Sequence, residues 1–322
     1  MTLPEEGARP PILTGNRRSG LLLLRKPAGS TSFQALGGLK RRLGTGKVGH
    51  AGTLDRFASG LLVVLVGSYT RLNEIVSAGE KLYRGIVRFG AETDTLDPEG
   101  EVVAEGPLPD LASIESAIPS FTGDVEQAPP AYSALHVDGK RAYERVLAGE
   151  SVELPARKVF IRSIELESFD GKDAVIRVAC GPGTYIRSLA RDLALACGSR
   201  ASLVALERLA IGPFSLAEAV GPEEFDPAVD LRSLTLFDAR ALGLASFRVS
   251  EADERRFVNG QALASIRFEK VEGEDSEPSE PNSPDQPREG LAAVFSLDLR
   301  LLGLVEAKGR AMAYKLVLGE GA

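Results

Sequence analysis

The chain has 322 residues, 43% of them hydrophobic and 26% charged, with a formal net charge of −7, 2 cysteines and 2 histidines. That is the composition of a globular chain long enough for one large and one small domain. It excludes a histidine-rich metal centre, a disulfide scaffold and attraction of the whole surface to nucleic acid, so a polyanion would have to meet a local basic patch.

Residues 1–19, rich in proline, glycine and arginine, predict a flexible arm. "LLLLRK" (21–26) predicts a short buried strand, and its apolar run is too short for a signal peptide or a membrane span. The expected location is the cytoplasm, away from membranes. In "GSTSFQALGGLKRRLG" (29–44) a cap at Ser30 or Thr31 precedes Phe33, Leu36, Leu39 and Leu43 at helical spacing. Lys40, Arg41 and Arg42 fall in the last turn of that helix, where cations are favoured. A glycine-rich loop, "GHAGTLDRFASG" (49–60), leads into "LLVVLV" (61–66), a central strand.

"EKLYRGIVRFGAETDTLDPEG" (80–100) opens as a strand and closes as a polar loop, and "LASIESAIPSF" (111–121) is a helix. "QAPPAYSALHVDGKRAYERVLAG" (127–149) reads as a proline-braked extended piece, an Asp138–Gly139 turn and a basic helix carrying Lys140, Arg141 and Arg145. "KVFIRSIELESFDGKDAVIRVACG" (158–181) alternates on both sides of Asp170–Gly171, the signature of a β-hairpin. "TYIRSLARDLALACG" (184–198) is an amphipathic helix that ends at Gly198. Strands and helices mix without a strict βαβ repeat, which gives an α+β class with a mixed sheet.

A boundary is expected between 235 and 248. Beyond it "LASIRF", "LAAVFSL", "LGLVEAK" and "AYKLVL" predict the strands of a small β domain. The acidic, proline-studded stretch 269–290 holds too little apolar surface to fold and is read as a disordered loop between two of those strands.

Two familiar motifs fail. "GTGKVG" (44–49) has arginine where a phosphate-binding loop needs its first glycine, and valine after Lys47 where it needs Ser or Thr. No G-x-S-x-G elbow accompanies His50 or His136, which argues against a serine hydrolase. Cys180 and Cys197 form no metal-type pair, so no metal is expected. Asp55 remains: a lone carboxylate among glycines that let backbone and substrate approach closely. A carboxylate nucleophile must stay ionised, and an arginine partner favours the charged form. Arg187, on the opening turn of the helix after "GPG", can supply it or serve as an ordinary structural ion pair; Tyr185 beside it and Tyr83 in "KLYRG" are aromatics that fit a site or the core.

These blocks together carry a resemblance. "RKPAGSTS", "GHAGTLD…ASGLLVVLVG", "KLYRGIVRFGAETDTLDPEG", "QAPPAYSALHVDGKRAYERVLAG", "GPGTYIRSLARDL" and "LERLAIGPF" lie in order over residues 20–220. In them the sequence resembles the bacterial tRNA pseudouridine synthase B family, whose members convert a uridine of the TΨC loop (position 55 of tRNA) to pseudouridine. The resemblance implies a pseudouridine synthase fold, a mixed and largely antiparallel sheet flanked by helices, over 20–240. It also implies a small PUA-type RNA-binding β domain over 241–322. It makes Asp55 the catalytic aspartate, Arg187 its partner and Tyr83 the aromatic that stacks on the target base. His50 then helps hold the T-loop, Tyr185 and Leu206 line the uridine pocket, and Lys26 supports the active-site loop. The expected partner is the T-arm of tRNA, met by a monomer through Lys40, Arg41, Arg42, Lys47, Lys140, Arg141 and Arg145.

The isomerisation moves one base from N to C attachment, with no redox change and no outside atom, so no cofactor is expected. Asp55 would attack either C6 of the base or C1′ of the ribose. Arg56–Phe57 stand where the family has proline after the aspartate, and His136 where it has lysine. Glu207 replaces an arginine, and the acidic insert is unusual. Two other functions fit the same residues: pseudouridine formation in another RNA, or a non-catalytic RNA-binding or RNA-folding protein. Retained Asp55, Arg187 and Tyr83 argue against the second.

Overall fold

The computed structural model describes residues 19–132, 136–137, 140–141, 154–271, 289–308 and 311–318. In chain order the first part contains strands β1 (Gly20–Lys26), β2 (Val48–Ala51), β3 (Ser59–Val66), β4 (Lys81–Phe89), β5 (Ala91–Thr93), β6 (Val102–Glu105) and β7 (Gly123–Gln127). There follow β8 (His136–Val137), β9 (Lys140–Arg141), β10 (Arg157–Phe169), β11 (Asp173–Cys180), β12 (Ala201–Ile211) and β13 (Phe214–Ser215). Nine of these form one sheet in the order β1-β3-β12-β4-β11-β10-β7, with β13 on β12 and β2 on β3. Only the β12–β3 contact within it is parallel, so the sheet is mixed and largely antiparallel, as expected.

Strand β3 shows why "LLVVLV" is apolar throughout. Its residues alternate between two cores. Leu62, Val64 and Val66 face helix α1 (Ser32–Leu43) through Leu36 and Leu39, while Leu61, Val63 and Leu65 face a core shared with Phe295, Leu304 and Leu316 of the C-terminal sheet. A strand covered on both faces needs no polar side. Helix α1 starts at a capping box between Thr31 and Gln34, and Gly44 closes it in the left-handed conformation at φ 60°. Phe33 departs from the expected apolar stripe. The buried arc is Ser32, Ala35, Leu36 and Leu39, and the ring falls beyond its edge.

Helix α2 (Asn73–Ala78) follows β3, and α3 (Leu111–Ala117) continues as a 3₁₀ turn over Ile118–Phe121. The β10–β11 hairpin turns at Asp170–Gly171 as predicted, the Asp170 carboxylate accepting from the N–H groups of Lys172 and Asp173. Helix α4 (Ile186–Ala196) buries Ile186, Leu189, Ala190 and Leu193 against the sheet and ends before Gly198, at φ 67°.

The C-terminal sheet has the order β15-β14-β16-β17-β18, from β14 (Ala245–Arg248), β15 (Glu269–Lys270), β16 (Glu289–Phe295), β17 (Leu301–Lys308) and β18 (Ala311–Val317). The ends of the acidic insert enter β15 and β16 on either side of β14; residues 272–288 lie outside the described residues.

Two expectations change, and two further elements lie where the sequence carries none. Lys140 and Arg141 form β9, paired with β8 across the predicted turn, instead of opening a helix; Arg145 lies outside the described residues. "LASIRF" is not a strand. Leu263, Ile266 and Phe268 reach the core through a 3₁₀ turn over Leu263–Ser265, whose three-residue spacing puts Leu263 and Ile266 on one side. The polar segment 251–258 is a helix capped by Ser250. β12, in the middle of the main sheet, was not anticipated: its alanines, leucines and the Glu207–Arg208 pair read as helix formers.

Candidate active site

A cleft of about 1040 Å³ opens beside the loop between β2 and β3. It brings together Asp55, Arg187, Tyr83, His50, Tyr185 and Leu206, residues scattered over more than 150 positions of sequence. Asp55 is reachable from the cleft, with its side chain 37% exposed, whereas Arg187 behind it is 4% exposed.

The loop is held on every side. Ser32, in the first turn of α1, exchanges two buried hydrogen bonds with the residue before Asp55. Its hydroxyl donates to the Leu54 carbonyl (3.1 Å), and the Leu54 N–H donates to its oxygen (3.0 Å). The residue after Asp55 is held from below. The buried Lys26 ammonium donates to the carbonyls of Ser30 (2.6 Å), Pro27 (3.0 Å) and Arg56 (3.5 Å), and the Gly29 N–H also donates to Arg56 O. Arg208, 1% exposed, donates to the carbonyls of Gly52 (2.9 Å) and Leu61 (2.8 Å). It reaches the loop because β12 crosses β3 closely at Gly60 (φ 107°), where a Cβ would lie 2.4 Å from the Arg208 carbonyl oxygen. Pinned neighbours fix a carboxylate better than any contact of its own.

Arg187 sits on the first turn of α4 and bridges two acids. Its Nε lies 2.9 Å from Asp55 Oδ2, and its Nη1 3.3 Å from Asp97 Oδ2. The Nε–H is not aimed along the first contact, which makes it a charge pair without an aligned hydrogen bond. Nη1 and Nη2 donate to the carbonyls of Thr95 (2.8 Å) and Tyr132 (3.1 Å). Asp97 is itself held by the Thr95 hydroxyl (2.6 Å) and the Glu99 N–H (3.0 Å). The turn that presents it includes Leu96 at φ 61°, a left-handed conformation costly for leucine. Asp97 was missed in the sequence because "TDTLDPEG" reads as an ordinary polar loop.

Burial pushes the Tyr83 phenol up, opposed by a hydrogen bond and charge from Arg208, so it stays protonated near neutrality. Burial likewise brings Lys26 and Lys81 down to about 8, helped for each by the Arg208 charge. Tyr185 is placed by Gln127, which bonds its backbone at 2.8 and 3.1 Å, and by the Arg157 guanidinium 5.1 Å over its ring. Arg208, Lys81 and Arg157 also line the cleft and were not singled out in the sequence. Arg208 is the one cation within β12, whereas Lys81 and Arg157 begin strands that carry further cations and bear no such signal.

Of the expected basic patch, Lys40 lies over the Phe33 ring at 5.1 Å, and Arg41 and Lys47 are exposed. Arg42 turns away to the carbonyls of Pro222 and Glu223 and the ring of Phe225. Lys140 and Arg141 form β9.

His50, on β2, has its imidazole pKa lowered, first by burial and then by the Arg208 charge. The sign follows: above the ordinary value of 6.5 the ring is neutral folded or unfolded, and below it the unfolded chain takes up a proton that the folded site resists. Stability is therefore lost as pH falls from 6.5 through the lowered folded value. Urea midpoints at about pH 7.5 and 5 should fall more for the wild type than for His50→Asn. Equal falls would show that His50 carries no such burden.

The comparisons give the family. Residues 40–186 match the family model described as TruB family pseudouridylate synthase (N terminal domain). The tRNA pseudouridine synthase B of Leifsonia xyli is 39% identical over 301 residues, covering 91% of this chain and 94% of that protein. Its counterpart in Treponema denticola is 47% identical over 216 residues, and there the match spans 60% of the relative's length and 61% of this chain. The fold resembles that in a structure titled "Crystal Structure of a Cbf5-Nop10-Gar1 Complex", with a TM-score of 0.65 at 21% identity over 99% of this chain and 90% of that one. The family model and the Leifsonia relative place the chain among the pseudouridylate synthases. Within that class it belongs to the tRNA pseudouridine synthase B family.

Proposed function

We propose that this chain isomerises a uridine in the TΨC loop of tRNA, position 55, to pseudouridine. The observation that carries the reading is Asp55 in charge contact with a buried Arg187, on a clamped loop facing a cleft of about 1040 Å³. The uridine is first turned out of its stack, which costs a few kcal/mol, and stacking on Tyr83 returns about 1–3 kcal/mol. Asp55 then attacks as a covalent nucleophile. The N1–C1′ bond breaks, the base turns, a C5–C1′ bond forms, C5 gives up its proton, and N1 ends protonated. Electrons balance within the substrate, and Asp55 leaves unchanged.

Arg187 acts as a positioning residue, aiming Asp55 while Asp97 balances its charge. Tyr185 and Leu206 shape the base pocket, His50 keeps the loop open, and Lys26 holds the Asp55 loop from below. Lys40, Arg41 and Lys47 serve as the phosphate contacts of this reading, Arg42 being engaged by Pro222, Glu223 and Phe225, and the C-terminal sheet is an RNA-binding module. The enzyme works as a cytoplasmic monomer. Among the described residues no helix is long and apolar enough to cross a membrane.

The test is to incubate the chain with an unmodified tRNA transcript and with one whose T-loop uridine is replaced by cytidine. Pseudouridine is then located by mass spectrometry. One pseudouridine in the first and none in the second is expected. Modification elsewhere would assign another RNA target, and none in either transcript would leave an RNA-binding protein.

A further inference from the structure

Phe33 is 73% exposed on the rim of the cleft that holds Asp55. It is fixed there by the capped first turn of α1, the turn in which Ser32 pins Leu54. Phe33, Gly37 and Lys40 stand at i, i+4 and i+7, on one face of the helix. Gly37 leaves that face bare between the other two: a Cβ there would meet nothing within 4 Å. Across the gap the Lys40 ammonium reaches 5.1 Å from the ring centroid. A helix-interior glycine weakens the helix, and no neighbour in the fold requires this one. The strip thus offers an aromatic plane, a stretch of low relief and a cation, with exposed Arg41 beside it.

That sequence of features fits one nucleotide of single-stranded RNA: base on ring, sugar over the bare helix, phosphate at the ammonium. We propose that Phe33 is a stacking platform for an unpaired base adjacent to the everted uridine, with Gly37 as clearance and Lys40 as counter-charge. The proposal rests on the function given above and extends it to a second base.

The experiment uses the full chain and a T-arm stem-loop RNA. Wild-type turnover comes first, since a wild type that makes no pseudouridine removes the functional reading itself. Given turnover, Phe33→Ala should raise KM about tenfold or more, with kcat within about twofold and an unchanged melting temperature. Phe33→Tyr should restore KM. Gly37→Gln should raise the melting temperature and yet raise KM, a pairing that a purely structural glycine would not produce. In an Asp55→Asn background, 2-aminopurine placed at one or other loop position flanking the target should be quenched on binding, and Phe33→Ala should abolish the quench. Unchanged KM in Phe33→Ala, or a quench that survives it, overturns the platform and leaves the function standing.

Discussion

The Asp55→Asn chain is expected to form pseudouridine at less than about 10⁻⁴ of the wild-type rate while binding tRNA within a few-fold of wild type. An amide is nearly the size of a carboxylate but lacks the charge that makes it a nucleophile. The usual complication, an orphaned buried guanidinium, is removed by Asp97. Arg187 keeps its 3.3 Å partner there and its bonds to the Thr95 and Tyr132 carbonyls. Leu54 and Arg56 keep the loop in place through their own backbones, which the substitution does not touch. The melting temperature should therefore stay within a few degrees of wild type. Rate is read by pseudouridine-specific mass spectrometry and affinity by filter binding. Substantial pseudouridine from the variant would remove Asp55 from its role. A loss of binding as large as the loss of rate would make it a structural residue.

The sequence made the local parts of this site legible. Asp55, Arg187 and Tyr83 each stand in a local pattern (glycine spacing, a Gly-Pro-Gly bend, a strand) that alone fits a turn, an ion pair or core, and it is the family resemblance that singles them out. "LLVVLV" and the Asp170–Gly171 hairpin follow from periodicity alone. What stayed hidden depends on long-range register. β12 lies in the centre of the sheet, yet its composition favours helix; only pairing with β3 and β4 makes it a strand. Arg208 becomes a loop clamp solely because Gly60 lets that strand pass close by. Asp97 becomes a counter-charge through a turn whose left-handed Leu96 no local rule foretells. The three-residue spacing of Phe33 to Leu36 puts it on the apolar stripe, but the buried arc lies on the other side of Leu36. In each case the local pattern was consistent with two roles, and tertiary contact chose between them.

Arg187→Lys is the second large effect, expected as a kcat loss of about 10²–10³-fold together with about 2–4 kcal/mol of lost stability. The guanidinium serves four partners at once: charge contacts with Asp55 and Asp97, and hydrogen bonds to the carbonyls of Thr95 and Tyr132. Its planar fork spans them from a 4% exposed position on α4. A single ammonium is a point donor and cannot span both acids and both carbonyls. If it stays with Asp97, the carboxylate of Asp55 loses its aim; if it moves toward Asp55, Asp97 is left charged and buried. Either outcome separates aim from fold, because rate and stability respond to different halves of the network. Turnover measured well below the variant's melting temperature, and normalised to folded protein, should remain depressed by the full factor. A rate that recovers to near wild type once folding is saturated would reduce Arg187 to a structural cation and detach it from the chemistry at Asp55.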